Sequence, residues 1–386
     1  MQIFLKHNQV RLCILTIATS LISLLIQAQD LNPLPRRAYF GVGLEKAEAG
    51  VRVFAISPDS TAAAVGVSIG DIIQEVDGQM TSSPESVVAA IGKHKAGESI
   101  TLNLRRGDER RTIEAVLKPY PSEKMANATI HYGSVVALPG ARLRTILSVP
   151  EGKPGTRFPA VLLLQGGGCG SIDSPFSVSG GQPGLIHAIG SQGFVTMRVE
   201  KSGVGDSEGP ACASIGFNEE LAGYRAALTA LRSHPSVDPQ RVYLVGISLG
   251  GVFAPLLAAE TKVAGISVYG TLAGPPGPYP GRSERFFQEF GTVDVAAAWA
   301  RSATRVQVLH GEYDIDPATS STAHQQIAAM INASNPGSAK YRELQGLDHG
   351  WTRHASLEAS RDRVGQGEDA TSTLADVILA FLRGQG

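Results

Sequence analysis

The sequence predicts an α/β protein built on a mainly parallel sheet flanked by helices and preceded by a small β-rich domain. From about residue 127 onward, apolar strand patterns alternate with helical ones, the signature of a parallel sheet covered on both faces. Residues 37–121 instead carry short alternating strands split by the turn signals Ser57-Pro58-Asp59, Asp77-Gly78 and Arg106-Gly107-Asp108. Between residues 241 and 251, a short apolar strand ends in Gly246-Ile247-Ser248-Leu249-Gly250 and runs directly into an apolar helix. At 386 residues the chain is long enough for two domains, one with a sizeable core.

The N-terminus has its own composition. Lys6, His7 and Arg11 precede an apolar stretch over 12–26, and Gln27-Ala28-Gln29 follows. A basic start, an apolar run of this length and a small residue at the cut site describe a secretory signal peptide over residues 1–28, with an uncleaved anchor as the alternative. Either way the body of the protein is expected to be periplasmic or secreted. No run after residue 30 is long and apolar enough to span a bilayer, so no membrane span is expected in the mature chain. A formal net charge of -1, with acids and bases interspersed, gives no sign of a nucleic-acid or anionic-membrane partner. Export leaves Cys169 and Cys212 as an even pair in an oxidising compartment, a possible disulfide, with two free buried thiols as the alternative. The bond would close a loop of about 43 residues, worth about 4 kcal/mol in the loop-entropy picture.

Within 37–121 one helix is well marked: Ser83 as N-cap, Pro84 in the first turn, and Val87, Val88 and Ile91 as an apolar stripe. The loop Phe40-Gly41-Val42-Gly43-Leu44, the stretch SPDSTAAAVGVSIGDIIQEVDG (57–78) and AGESITLNLRR (96–106) resemble a bacterial PDZ domain. That resemblance implies strand addition: a peptide or protein tail pairs with a sheet edge and its carboxylate meets amides of the glycine-rich loop. Phe40, Gly41, Val42, Gly43, Leu44, Val87 and Ile91 would line the ligand groove, with ordinary core positions as the alternative for each. Pro119, Pro121 and Ser122-Glu123-Lys124 then read as a linker.

The second domain, 127–386, opens with a hairpin turning at Pro139-Gly140. Strands are expected at 159–165, 194–200, 241–246, 263–270, 305–311 and 340–345. Helical patterns lie at 218–233, 252–260, 320–332 and 371–384. In an open α/β sheet, reactive groups gather on loops at the carboxyl ends of strands. G-x-S-x-G occurs three times, at Ser68, Ser207 and Ser248. Only Ser248 has a strand before it and a helix after it, the layout of a nucleophile elbow.

The remaining groups for acyl transfer by serine follow from the same rule. Gln165-Gly166-Gly167-Gly168-Cys169 comes straight after a strand, so the Gly167 amide, with that of Leu249, is the candidate oxyanion hole; Gly166 or Gly168 could replace Gly167. The acid follows a later strand: Asp314 is chosen, with Asp316 in reserve. The base comes after the acid, leaving His324, His349 and His354. His324 falls in a helical pattern and reads as a surface position. His349, in a turn-rich segment directly after the last strand, is preferred, with His354 behind it.

The motifs GISLGG around Ser248, HGEYD ending at Asp314 and GLDHG around His349 resemble the α/β-hydrolase superfamily, and VDPQRVYLVGISLGG resembles its prolyl-oligopeptidase-like and dienelactone-hydrolase members. The resemblance implies an α/β-hydrolase fold, a Ser248-His349-Asp314 triad, and a small-molecule acyl substrate. It also implies that the strands ending near 165 and 200 are neighbours, bringing Cys169 and Cys212 within reach. Gln165 departs from the histidine many relatives carry before the glycines. Residues 271–300, with Tyr279, Phe286, Phe287, Phe290 and Trp299, suit either a cap over an apolar pocket or an inserted helix packed on the core. Arg282 and Arg285 could greet an anionic group or simply be solvated. No histidine–carboxylate cluster has metal-ligand spacing, so neither metal nor other cofactor is expected. The preferred reading is an exported serine hydrolase of the carboxylesterase type. The alternatives are a peptidase or amidase of the prolyl-oligopeptidase-like type, and a PDZ-based interaction protein with an inert hydrolase fold.

Overall fold

Two separate sheets answer the two patterns in the sequence. The computed structural model describes residues 34–138, 141–177, 179–274 and 281–385, and Pro35–Gly386 forms one compact unit. The export segment expected over 1–28, the Pro139-Gly140 turn and Tyr279 lie outside the described residues.

The first sheet comes from the N-terminal part. Its elements are β1 (Ala38–Tyr39), β2 (Val42–Ala47), β3 (Gly50–Ile56), α1 (Thr61–Ala64), β4 (Ile72–Val76), β5 (Gln79–Met80), α2 (Pro84–Ile91), β6 (Ser99–Arg106), β7 (Glu109–Val116) and β8 (Lys118–Pro119). Strands run in the order β2-β3-β4-β6-β7, with β5 on β4, while β1 and β8 pair as a separate ribbon. The Ser83 hydroxyl caps α2 by accepting from the Ser86 amide at 3.3 Å. Val51, Val53, Ile73, Leu102 and Leu104 form a small core under Val87 and Ile91.

The second sheet has eight strands. Its elements are β9 (Ala128–Leu138), β10 (Ala141–Pro150), β11 (Phe158–Leu164), α3 (Gly181–Gly190), β12 (Val195–Val199), α4 (Phe217–Ser233), β13 (Val237–Ile247), α5 (Gly250–Glu260), β14 (Gly265–Tyr269), α6 (Glu284–Gly291), α7 (Val295–Ala300), β15 (Val306–Gly311), α8 (Ser321–Ser334), β16 (Ala339–Leu344), β17 (Thr352–Arg353), α9 (Leu357–Arg361), β18 (Glu368–Asp369) and α10 (Thr371–Leu382). The order is β16-β15-β14-β13-β11-β12-β10-β9. Neighbours are parallel from β16 to β12, and β10 runs antiparallel to both β12 and β9. The strands ending near 165 and 200 are therefore neighbours. Alternate side chains feed opposite faces: Leu162, Leu164 and Leu244 meet α4, α5 and α8, whereas Val161, Leu163 and Val245 meet α3 and α10. Helix α3, GQPGLIHAIG, has no counterpart in the sequence reading because three glycines and a proline mask it. Burial of Leu185, Ile186 and Ile189 holds it nonetheless.

The segment expected as a linker is part of a buried ion network. Glu123 takes Arg198 at 2.7 Å and His187 at 2.9 Å. Burial alone would push its carboxyl up, but hydrogen bonds from His187 and Arg198 hold it down to about 2. At the N-terminal end of the first sheet's module, Arg36 pairs with Asp173 at 2.7 Å and Asp206 at 2.5 Å, and its guanidinium lies 4.1 Å over the Tyr132 ring. Both ends of that module are thus bolted to the eight-stranded sheet and its loops.

Candidate active site

Ser248 sits at the break between β13 and α5. Its φ of +51° is left-handed, a conformation rare for a non-glycine residue. Ser68 and Ser207 do not share it, and Ser207 serves a buried structural bond, accepting from the Arg144 amide at 2.9 Å. The bend is tight enough to require the flanking glycines. A Cβ on Gly246 would stand 2.6 Å from the Gly251 Cα, and one on Gly250 would fall onto the Leu164 carbonyl at the end of β11. The Leu249 amide lies at the start of α5, where helix amides lack intrahelical partners.

Asp314 and His349 meet from two adjacent loops, after β15 and after β16. His349 Nδ1 lies 2.7 Å from Asp314 Oδ2. An ionised carboxylate only accepts, so Nδ1 carries the proton and Nε2 is left as the basic nitrogen. Thr319 donates to the other Asp314 oxygen at 2.8 Å. Burial pushes the Asp314 carboxyl up, but the His349 hydrogen bond outweighs it and the group lies below its ordinary range. Burial likewise pulls the His349 imidazole down, yet Asp314 carries it above 6.5. The imidazole keeps 29% of its surface exposed, enough to face a substrate.

The strand between them ties serine to histidine. The Ser248 amide donates to the Tyr269 carbonyl at 2.9 Å, and a Cβ on the next residue, Gly270, would stand 3.0 Å from the His349 ring. The Tyr269 hydroxyl in turn donates to the Asp348 carbonyl at 2.6 Å, pinning the loop that carries His349.

The reserve candidates have other work. Asp316 caps a short turn, accepting from Ala318 at 2.9 Å. His354 lies 2.8 Å from Asp348, away from Asp314. His324 corrects an expectation: it is fully buried instead of on the surface. Its Nε2 accepts from the Thr271 amide and its Nδ1 faces the Ser320 carbonyl, both at 2.9 Å, and burial draws it down to about 4, so it stays neutral. A helical pattern does not say which face a histidine takes.

The loop Gly166–Gly168 faces Ser248, with a Cβ on Gly166 falling 3.5 Å from the Ser248 Cβ. Beneath it lies an ion cluster that sequence reasoning missed. Lys201 donates to the carbonyls of Gly166 at 2.6 Å and Gly168 at 3.0 Å. Arg282 donates to the Gly167 carbonyl at 2.9 Å. Both cations approach Glu220, Lys201 at 3.0 Å and Arg282 at 2.7 Å, and the three side chains are 2%, 0% and 3% exposed for Lys201, Arg282 and Glu220. Burial pulls the Lys201 ammonium down to about 8 against the upward pull of Glu220. Gln165 spends its side chain on the Val199 carbonyl at 2.8 Å, bracing β11 on β12.

Cys169 and Cys212 are joined as a disulfide with Cα atoms 5.7 Å apart, so the glycine loop is tied to the segment before α4. In the region read as either a cap or an inserted helix, Phe286, Phe290 and Trp299 are fully buried. Phe290 stacks on Phe217 at 4.8 Å, and Phe217 on Phe253 at 4.7 Å, the packing of inserted helices on the core. Arg285, exposed, pairs with Glu219.

The groove of the first sheet is also built. Strand β2 is an edge strand. Phe40 and Gly41 carbonyls accept from the Ala62 amide at 3.0 Å and the Ser57 amide at 2.9 Å. With Gly41 bonded to Ser57, Val42 and Ile56 face each other as a non-hydrogen-bonded pair, so the Val42 amide points to the open edge. Gly41 has φ +77°. Gly43 and the partly buried Val42 and Leu44 line β2, whereas Phe40, Val87 and Ile91 belong to the core. Val88 points outward, 64% exposed.

Residues 38–117 match the PDZ domain family model. The chain is 28% identical over 94 residues to the periplasmic serine endoprotease DegP-like protein of Halomonas elongata, covering 24% of this chain and 20% of that one. It is 33% identical over 147 residues to the uncharacterized peptidase YtmA of Bacillus subtilis, covering 37% of this chain and 49% of the relative. The chain thus spans about half or less of these relatives' lengths. Among solved structures, a Bacteroides ovatus protein provisionally assigned as a dipeptidyl aminopeptidase IV superposes with a TM-score of 0.53 at 15% identity, over 74% of this chain and 40% of that one. This likeness shows the fold: an α/β-hydrolase fold with a mainly parallel sheet, preceded by a β-rich PDZ domain. Among the described residues no helix is long and apolar enough to cross a membrane.

Proposed function

We propose that the protein is an exported serine hydrolase that cleaves a carboxylic ester, or a related acyl bond, through an acyl-enzyme. Ser248 attacks the carbonyl carbon while His349 Nε2 takes its proton. Asp314 holds the imidazole in the working tautomer and stabilises the imidazolium. The amides of Gly167 and Leu249 receive the oxyanion. His349 then returns the proton to the leaving group, and a water deacylates Ser248 by the same route. The observation that carries this reading is the 2.7 Å Asp314–His349 bond beside Gly270, on the strand whose preceding carbonyl holds the strained Ser248. The apolar run over 12–26 and the disulfide support export. The open β2 edge supports binding of a peptide tail by the PDZ domain.

The test is hydrolysis of p-nitrophenyl esters by purified protein and its Ser248→Ala variant. A loss of kcat of about 10⁴-fold or more in the variant is expected; equal turnover would reject the assignment. The peptidase names of two relatives favour a second reading, amide cleavage. Matched aminoacyl p-nitroanilides, cleaved with higher kcat/KM than the esters, would establish it instead.

A further inference from the structure

Resting on that proposed reading, we infer that Lys201, Glu220 and Arg282 form a positioning device that presets the oxyanion amides of the glycine loop from below. A peptide unit is planar and trans, so a carbonyl fixed in one direction sends the next residue's N–H the opposite way. Lys201 holds the Gly166 carbonyl, which turns the Gly167 amide away from the cluster; Arg282 does the same for Gly168, and Lys201 again for Cys169. Successive carbonyls drawn to one side leave successive amides on the other, an anion-binding concavity, on the loop that approaches Ser248.

The charge count argues against a purely structural purpose. Two cations share one carboxylate, all three nearly inaccessible. Burying such charges costs more than burying apolar groups of the same size. Glu220 lies at ion-pair distance from both cations and acts as their shared counter-charge, while the Lys201 ammonium and the Arg282 Nε also donate to the loop carbonyls. The uncompensated positive charge beneath the loop further favours negative charge developing above it. Arg282 is fixed by its ring contact, 4.7 Å over Phe286, and Lys201 by its place at the second residue beyond β12. Two cations far apart in sequence thus converge on one tripeptide, with Glu220 as their shared counter-charge.

The experiment uses the full-length protein with p-nitrophenyl acetate as substrate and a fluorophosphonate as the probe of Ser248. Lys201→Met is expected to lower kcat about 30-fold or more with KM within about three-fold, because misplacing transition-state donors costs rate and spares ground-state binding. Phosphonylation should slow in parallel, and Lys201→Arg should recover most of the loss. Wild-type kcat in Lys201→Met, a loss confined to KM, or a Lys201→Arg no better than Lys201→Met would overturn the inference. Should Lys201→Met not fold, Arg282→Met, which leaves Lys201 and Glu220 as a balanced pair, replaces it: kcat must fall about ten-fold, and an unchanged kcat overturns the inference. A wild-type protein that the probe does not label at Ser248 would instead end the hydrolase reading, and this inference with it.

Discussion

Two glycine loops in this molecule solve the same problem with different parts. In both Phe40–Gly43 and Gly166–Gly168, consecutive carbonyls are tied down, and the proposed function has the amides so turned receive negative charge. The first loop is tied by neutral backbone amides, those of Ala62 and Ser57. The second is tied by the buried ammonium of Lys201 and guanidinium of Arg282. A carboxylate entering the first groove brings its own charge, and neutral dipoles suffice to receive it. An oxyanion exists only while the reaction passes, so its site gains most from donors already fixed and polarised, with nothing left to reorganise. The second loop also carries a covalent tie, Cys169–Cys212.

The comparison breaks most severely if the second loop has no chemistry beside it. Asp314→Asn is expected to cut kcat by about 10³- to 10⁴-fold, as the imidazole loses its tautomer and orientation. Its pH profile gives a sharper reading. His349 works as a base only when neutral, and Asp314 raises its pKa above 6.5. The acidic limb of kcat/KM should therefore lie above pH 6.5 in the wild type and move downward in Asp314→Asn. Reducing the disulfide should slow turnover by up to about ten-fold at temperatures where circular dichroism reports a folded protein, since a loosened loop misplaces its donors. Equal turnover after verified reduction would show that the cluster alone fixes the loop.

The first loop makes a smaller prediction. At Gly41, with φ +77°, an added Cβ would run into Ser60 and stand 2.8 Å from the Tyr39 ring. Gly41→Ala should weaken binding of C-terminal peptides ending in an apolar residue by about ten-fold in calorimetric titration, at a stability cost on the order of 1–2 kcal/mol. Glu123→Gln leaves Arg198 buried without its counter-charge and should cost about 3 kcal/mol in urea unfolding. Because Glu123 is held down to about 2, its contribution is complete above about pH 4.5 and is lost as the pH falls towards 2. The variant's stability should be flatter across that window.

Much of this was legible in the sequence because it is written locally. The parallel strands announce themselves as apolar runs, and the proposed Ser248, Asp314 and His349 come from the turns that follow such runs, Ser248 marked by its G-x-S-x-G context as well. His349 is preferred over His354 for its place in the turn directly after the last strand, and the two differ in partner, Asp314 for His349 and Asp348 for His354. The Lys201–Glu220–Arg282 cluster was not legible as a cluster: Arg282 reads as either an anion contact or a solvated charge, and its partners Lys201 and Glu220 lie 81 and 62 residues away in sequence. Glu123 misled for the same reason, its partner Arg198 being 75 residues away. Val87 and Ile91 read equally as groove or core from their helical spacing, and the depth of α2 sends them to the core.

The most direct measurement is labelling of the full-length protein with a fluorophosphonate, followed by mass mapping of the adduct. The expected result is one equivalent of label on the peptide carrying Ser248, absent in Ser248→Ala and slowed in Asp314→Asn. Labelling that persists in Ser248→Ala, or a folded wild type that takes no label, would contradict a nucleophile at the turn between β13 and α5.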